Sequence, residues 1–156
     1  MKIERIDHLH AYTKDIDAVA RLFSGLGLKC EVPDLKDMEG AGGKTLVVWI
    51  GEGAFIEFLQ PTDPEGDLAQ LIGDREEGLL CVDLKVSDMD EAVAEMESRG
   101  IKLLKMFEIN QLKQAWFDPS NTFGVQIELG EYPGDEIADI TKASGLPLRP
   151  WTPPED

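Results

Sequence analysis

Cysteine and long hydrophobic runs are both scarce in this sequence of 156 residues. The two cysteines, Cys30 and Cys81, lie far apart and form no CxxC pair, too few for a disulfide framework, so each is first interpreted as a small buried hydrophobe. The longest apolar runs, such as LVVWI, are too short to cross a bilayer. The N-terminal MKIERID is charged and has no apolar signal core, so we expect a cytoplasmic protein.

Positive charge is scarce as well. Lys and Arg number 15 against 31 Asp and Glu, which gives a formal net charge of −16. A chain this acidic is not expected to bind nucleic acid or anionic membranes through their phosphates. A polyanionic substrate would need a local cluster of Lys and Arg.

Histidine is limited to His8 and His10, in the stretch RIDHLHAYTKDIDAVARLF. On a strand, residues two apart lie on the same face. The pair is therefore either a metal site or two hydrogen-bonded core histidines.

The sequence contains two copies of one pattern. The copies read IDHLHAYTKDIDAVA from residue 6 and LLCVDLKVSDMDEAVA from residue 79, and an offset of 73 aligns them and places Cys81 opposite His8. Each copy predicts a strand, an Asp cap and an amphipathic helix, over 16–24 and 89–99, that ends at glycine. The last strands, FIEFL and VQIEL, carry Glu57 and Glu128.

This repeat predicts an α+β fold of two tandem βαβββ modules. The first module spans 1–60, a linker with a short helix near 67–72 spans 61–77, and the second module spans 78–131. An acidic, proline-rich C-terminal extension follows over 132–156, with a short helix near 135–143. Its last residues are expected to be extended, and Trp151 either docks them on the body or a neighbouring subunit or leaves them disordered.

Alternation along the strands separates an apolar face from a polar one. The apolar face is expected to pack on the helices and includes Leu9, Ala11, Ile56, Phe58, Leu80, Val82, Leu84, Val86, Val125, Ile127 and Leu129. The opposite face carries His8, His10, Tyr12, Phe55, Glu57, Cys81, Asp83, Lys85, Gln126 and Glu128. A flat sheet would expose these groups to water, whereas a curled sheet would form a polar cavity, and the pattern is compatible with both.

Paired βαβββ modules with D-H-x-x-x-x-x-x-D near the start and an Ile-Glu pair closing each module resemble the vicinal oxygen chelate superfamily. Its members include glyoxalase I, methylmalonyl-CoA epimerase, extradiol dioxygenases and bleomycin-resistance proteins. The resemblance covers residues 3–131. It implies that the two sheets curl around one central cleft and that the protein is a homodimer.

In that family a divalent metal is typically held by residues of the first and fourth strand of each module. The matching positions are His8, Glu57, Cys81 and Glu128, and imidazole and carboxylate ligands suit Zn, Mn, Co, Ni or Fe. The segment GLLCVDLKV resembles GIHHIAFEV of epimerase-like members, so a cysteine replaces a histidine. Three alternatives remain: Cys81 is a ligand; His8, Glu57 and Glu128 hold the metal with water, assisted by His10; or the metal has been lost and the site only binds a small molecule.

The resemblance also implies a substrate pocket, lined by His10, Tyr12, Phe55, Asp83, Lys85 and Gln126. Lys85 could neutralise a substrate carboxylate, and Asp83 is either a base or the partner of Lys85. The catalytic carboxylate is expected to be Glu57 or Glu128. Glu39 is a third candidate, because it lies near where epimerase-like members supply a base.

The resemblance implies a small-molecule isomerase or lyase of the epimerase/glyoxalase type. A divalent metal would stabilise an enolate or oxyanion while a carboxylate moves the proton. One alternative is a non-catalytic, metal-free protein that sequesters a small aromatic or cationic compound with Trp49, Trp116, Phe55 and Tyr12. A second is an extradiol-type dioxygenase, which would need His10 as an additional ligand.

Overall fold

The computed structural model describes residues 1–33, 42–51 and 53–154. Within these ranges it has a mixed α+β fold of nine strands and four α-helices, and the predicted βαβββ order occurs twice. The first copy consists of β1 (Ile3–Tyr12), α1 (Ile16–Gly25), β2 (Cys30–Pro33), β3 (Gly43–Trp49) and β4 (Phe55–Pro61). After α2 (Asp67–Ile72), the second copy consists of β5 (Gly78–Val86), α3 (Met89–Ser98), β6 (Leu103–Ile109), β7 (Leu112–Phe117) and β8 (Gln126–Glu131). The chain continues with α4 (Asp139–Ser144) and β9 (Leu148–Pro150).

The two main helices begin at equivalent positions of the repeat, as the Asp-x-Asp pattern predicts. Asp15 Oδ1 accepts a hydrogen bond from the Ala18 amide at 3.0 Å, and Asp88 Oδ1 accepts one from the Glu91 amide at 2.9 Å. These bonds satisfy amide groups that have no partner within the first turn of a helix. The predicted starts of both helices are therefore confirmed.

The chain forms two compact units, and each is discontinuous in sequence. Unit 1 contains Met1–Leu9 and Cys81–Gly145, and unit 2 contains His10–Leu80 and Leu146–Asp156. Strand β1 consequently supplies residues 3–9 to unit 1 and residues 10–12 to unit 2. The domain boundaries drawn from the sequence repeat stay a prediction.

In unit 1 the strands are hydrogen-bonded in the order β6-β7-β8-β5-β1. Strands β5 and β8 are parallel, whereas β7 is antiparallel to both β6 and β8. Helix α3 packs its apolar side on this sheet. The resulting core consists of Val86, Met89, Ala92, Met96, Ala115, Phe117 and Leu129.

In unit 2 the order is β1-β4-β3-β2-β9, with antiparallel pairing of β4, β3, β2 and β9. Helix α1 covers this sheet with its buried side. The core of the unit consists of Ile16, Ala20, Cys30, Leu46 and Val48. Burial raises the pKa of the Cys30 thiol, which agrees with its interpretation as a small buried hydrophobe.

The end of the C-terminal extension docks on unit 2, and a disordered tail is thereby excluded for residues 146–154. Strand β9 pairs with β2, and the indole Nε1 of Trp151 donates to Asp17 Oδ1 at 3.0 Å. The Trp151 amide also donates to the Cys30 carbonyl at 3.0 Å, and the ring packs on the unit 2 core. Within the described ranges, no helix combines the length and the apolar character needed to cross a membrane.

Replacing Trp151 by alanine is expected to lower the free energy of unfolding by about 2 kcal/mol, because a half-buried ring and its hydrogen bond are lost. Trp151→Phe keeps most of the ring contact and should cost about 1 kcal/mol. Urea titration of both variants measures the difference. Equal stability of Trp151→Ala and the parent protein would show that the docked tail does not contribute.

Candidate metal and active site

The polar face of β5 and β8 is buried in the folded protein. Cys81, Asp83 and Lys85 are at most 3% exposed, whereas the alternating Val82 and Leu84 are only half-buried. The water-exposed interpretation of this face is therefore wrong. Val125 was expected on the apolar face of its strand, and this expectation is wrong. The residue precedes β8 and is 51% exposed.

The parallel register of β5 and β8 pairs polar residues with one another. Cys81 lies opposite Gln126, and Asp83 lies opposite Glu128. Each of these residues is at most 2% exposed. Because paired residues project to the same face of a sheet, unit 1 buries a row of polar groups.

Cys81 and Glu128, two of the four positions that the family resemblance implies as metal ligands, are in contact. The Cys81 Sγ lies 3.7 Å from Glu128 Oε2, and the thiol donates towards the carboxylate. A tetrahedral zinc ion with ordinary Zn–S and Zn–O bonds separates its sulfur and oxygen ligands by about 3.5 Å. The spacing of this pair therefore fits a shared metal ion.

His8 lies between two carboxylates. Its Nδ1 is 3.1 Å from Asp7 Oδ2, and its Nε2 is 4.0 Å from Asp83 Oδ2. All three side chains are completely buried. Ligand atoms of His8 and Asp83 lie within 4.8 Å of each other, and those of Cys81 and Glu128 belong to a second group with the same spacing. Imidazole, thiolate and carboxylate are all established metal ligands, so the donors in this unit fit a divalent ion.

Asp7 belongs to a network that the sequence did not reveal. Tyr132 donates its hydroxyl to Asp7 Oδ1, to which Arg5 Nε also donates at 3.1 Å, and Arg5 Nη2 is 2.6 Å from the Tyr132 oxygen. Burial would raise the pKa of Asp7, but the hydrogen bonds from His8 and Tyr132 and the Arg5 charge outweigh it and lower that pKa. Burial and the Asp7 carboxylate raise the pKa of Tyr132 far above its usual range. In this network Asp7 accepts hydrogen bonds and Tyr132 donates its hydroxyl.

Lys85 is engaged by neighbours on its own unit. Its ammonium forms an ion pair with Glu4 at 3.3 Å, donates to the Gly134 carbonyl and lies 4.5 Å from the centre of the Tyr132 ring. These contacts neutralise the charge that a substrate carboxylate would need. A substrate-binding role for Lys85 stays a prediction, and the observed contacts weaken it.

In unit 2, Glu57 lies beside His10. The Glu57 Oε2 is 3.7 Å from His10 Nε2, and the Glu57 side chain keeps 22% of its surface exposed while His10 keeps 4%. Phe55 is buried in contact with Trp49, with ring centres 5.3 Å apart. Tyr12 is half-buried on β1. Glu39 lies outside the described residues.

Asp7, Arg5 and Tyr132 are the site residues that sequence reasoning missed. Asp7 is part of the Asp-His pair that carries the family resemblance, and this was the available signal for its role. Tyr132 lies 125 residues away in the C-terminal extension, where nothing in the local sequence indicates a link to β1.

Comparison with solved structures supports the fold. A hypothetical protein from Bacillus halodurans C-125 is 26% identical, with a TM-score of 0.70, over 84% of this chain and 96% of that chain. A Streptomyces coelicolor methylmalonyl-CoA epimerase in complex with 2-nitronate-propionyl-CoA is 18% identical, with a TM-score of 0.71, over 85% of this chain and 100% of that chain. Methylmalonyl-CoA epimerase from Mycobacterium tuberculosis is 22% identical, with a TM-score of 0.69, over 85% of this chain and 90% of that chain.

Comparison of sequences identifies the family. No curated protein matches the chain. A family model does, over residues 7–113, which include the Asp-His pair, both helix caps and Glu57. The chain therefore belongs to the Glyoxalase/Bleomycin resistance protein/Dioxygenase superfamily, the vicinal oxygen chelate group that its sequence resembles.

Proposed function

We propose that this protein is a small-molecule isomerase or lyase of the epimerase/glyoxalase type that uses a divalent metal ion. The observation that carries the proposal is the buried contact between Cys81 and Glu128, 3.7 Å apart, in a superfamily whose members commonly bind such an ion. The structural likeness to methylmalonyl-CoA epimerases favours the epimerase branch.

Three residues of unit 1 are the proposed ligands: His8, Cys81 and Glu128. Burying a carboxylate or a thiolate costs several kcal/mol, and a bound cation offsets that cost. Without a metal, the Cys81 thiol offsets part of this cost by donating a hydrogen bond to Glu128. Metal binding is therefore expected to release the Cys81 proton. When bound, the ion supplies Lewis-acid stabilisation of negative charge on two neighbouring substrate oxygens.

Glu57 is the proposed general base. Its side chain keeps part of its surface exposed, which proton transfer to and from a substrate requires, whereas Glu128 is fully buried. His10, 3.7 Å away, can hold the carboxylate in place or share its proton. Glu57 would remove the proton next to a substrate carbonyl; it could return that proton to the neighbouring carbon, whereas protonation of the same carbon on its other face would need a second acid on that side. In this proposal Glu57 transfers protons and is not one of the metal ligands, although the family resemblance implied a ligand at that position.

The metal content of the purified protein tests the proposal. After reconstitution with Zn, Mn, Co or Fe, elemental analysis should find one ion per chain, and His8→Ala and Glu128→Ala should weaken metal affinity by at least about tenfold. Cys81→Ser should shift preference away from Zn, because the soft sulfur ligand is lost. Cys30→Ser is the matched control, since that buried thiol belongs to the core of unit 2.

A parent protein that stays metal-free after reconstitution would overturn the proposal and favour the sequestration protein. If Cys81→Ser changes neither affinity nor preference, Cys81 is not a ligand, and the ion is held by the remaining residues.

A further inference from the structure

The geometry points to a positioning role for Asp7. We propose that Asp7, held by Tyr132 and Arg5, fixes the His8 imidazole so that Nδ1 donates to Asp7 and Nε2 meets the metal. This inference rests on the proposed function, because the ion it concerns is part of that proposal. It adds residues of the C-terminal extension to the site, beyond the residues 7–113 that match the family.

The two oxygens of Asp7 have separate partners. Oδ2 lies 3.1 Å from His8 Nδ1, while Oδ1 accepts from Tyr132 and from Arg5 Nε. Turning the carboxylate would break these bonds where Asp7 is only 1% exposed, so water cannot readily replace them. The carboxylate therefore has one defined orientation towards the imidazole.

The orientation of Asp7 decides which His8 nitrogen carries a proton. Asp7 is paired with the Arg5 guanidinium and accepts from Tyr132, and a carboxylate in such a pair only accepts hydrogen bonds, so the nitrogen that meets it is the donor. With the proton on Nδ1, the lone pair of a neutral ring lies on Nε2, which is 4.0 Å from Asp83 Oδ2. That lone pair is the one with which His8 would ligate the proposed ion. Carboxylates that hold metal-binding histidines in this way strengthen metal binding.

The Tyr132 hydroxyl is itself held in place. Lys85 lies over its ring at 4.5 Å, and Arg5 Nη2 reaches its oxygen at 2.6 Å. Arg5 and Lys85 also donate to the carbonyls of Asp135 and Gly134, which fastens the start of the extension to unit 1. The extension thus supplies the hydroxyl that completes the Tyr132–Asp7–His8 chain.

A nitrogen-15 NMR experiment on the full-length, metal-free protein reads the His8 proton directly. The sequence contains two histidines, so a His10→Gln variant assigns the His8 signals. We expect a protonated Nδ1, in a neutral or a charged ring, that stays protonated while Nε2 shifts on addition of Zn²⁺. A neutral ring with its proton on Nε2 would overturn the inference.

Metal affinity supplies the second measurement, with Zn²⁺ competed against a chromophoric chelator. Asp7→Asn should weaken binding by about 10- to 100-fold, and Tyr132→Phe should weaken it less. Glu4→Gln is the matched control: it removes one negative charge from the same strand, but its carboxylate meets Lys85. Affinity unchanged in Asp7→Asn, or lowered equally in Glu4→Gln, would contradict a positioning role.

The two proposals fail separately. If the parent protein takes up no metal, the proposed function is overturned, while the proton on His8 Nδ1 still decides whether Asp7 orients the ring. If Asp7→Asn does not fold, Tyr132→Phe and the NMR measurement on the parent protein remain decisive.

Discussion

Glu57→Gln is expected to lower turnover by about 10²- to 10⁴-fold, because an amide cannot accept the substrate proton. The metal content should stay at the parent level, since the proposed ligands, His8, Cys81 and Glu128, belong to unit 1. Glutamine has nearly the same shape as glutamate and can still contact His10, so stability should change little. The assay is the incorporation of solvent deuterium at the carbon next to the carbonyl of a test substrate of the epimerase or glyoxalase type.

Glu31→Gln is the matched control for this experiment. Glu31 is a buried carboxylate of unit 2 that accepts a hydrogen bond from Trp49 Nε1 at 2.7 Å, and no part of the proposed reaction uses it. Its replacement should leave turnover unchanged. If Glu57→Gln exchanges deuterium as fast as the parent protein, Glu57 is not the base, and Glu128 and Glu39 become the candidates.

Phe117→Ala is expected to lower the free energy of unfolding by about 3–5 kcal/mol, since it removes a buried aromatic ring and leaves a cavity. Phe117 is 0% exposed and lies in the core of unit 1 with Met89 and Met96. A loss of this size is a large part of the stability of a typical domain. Guanidinium titration and thermal unfolding would measure it.

Phe123→Ala provides the comparison for that variant. Phe123 is fully exposed, so the same chemical change should alter stability by no more than about 0.5 kcal/mol. An equally large loss in Phe123→Ala would show that the effect does not depend on burial of the ring. A small loss in both would mean that the unit repacks around the missing ring.

Local signals made much of the fold predictable. The caps at Asp15 and Asp88 act on the next turn of their own helices, and short-range patterns of this kind mark where a helix begins. Trp151 was expected either to dock or to remain disordered, because a single aromatic residue in a proline-rich tail does not identify its partner. The structure provides that partner in Asp17.

The site was predictable only where the repeat itself carried information. Equivalent positions in the two modules singled out His8, Glu57, Cys81 and Glu128, and Cys81 and Glu128 are in contact. Equivalence does not determine contact, however, and the observed neighbours of His8 include Asp7 and Asp83. Strand alternation places Asp7 and His8 on opposite faces, so the pattern gave no reason to expect their hydrogen bond. Burial of the polar face was likewise undetermined, because alternation distinguishes two faces without showing what covers each one.

The discontinuity of the two units affects the order in which the protein can fold during synthesis. Residues Met1–Leu9 belong to unit 1, but the rest of that unit begins at Cys81. They therefore lack their unit 1 contacts while the residues of unit 2 that precede Cys81 are synthesised. Unpaired strand segments at this stage are sites of aggregation, and charged side chains protect them. Lys2, Glu4 and Arg5 supply such charges before their strand is paired. Because unit 2 also needs residues 146–154, neither unit is complete until most of these 156 residues have been made, and we expect folding to finish slowly.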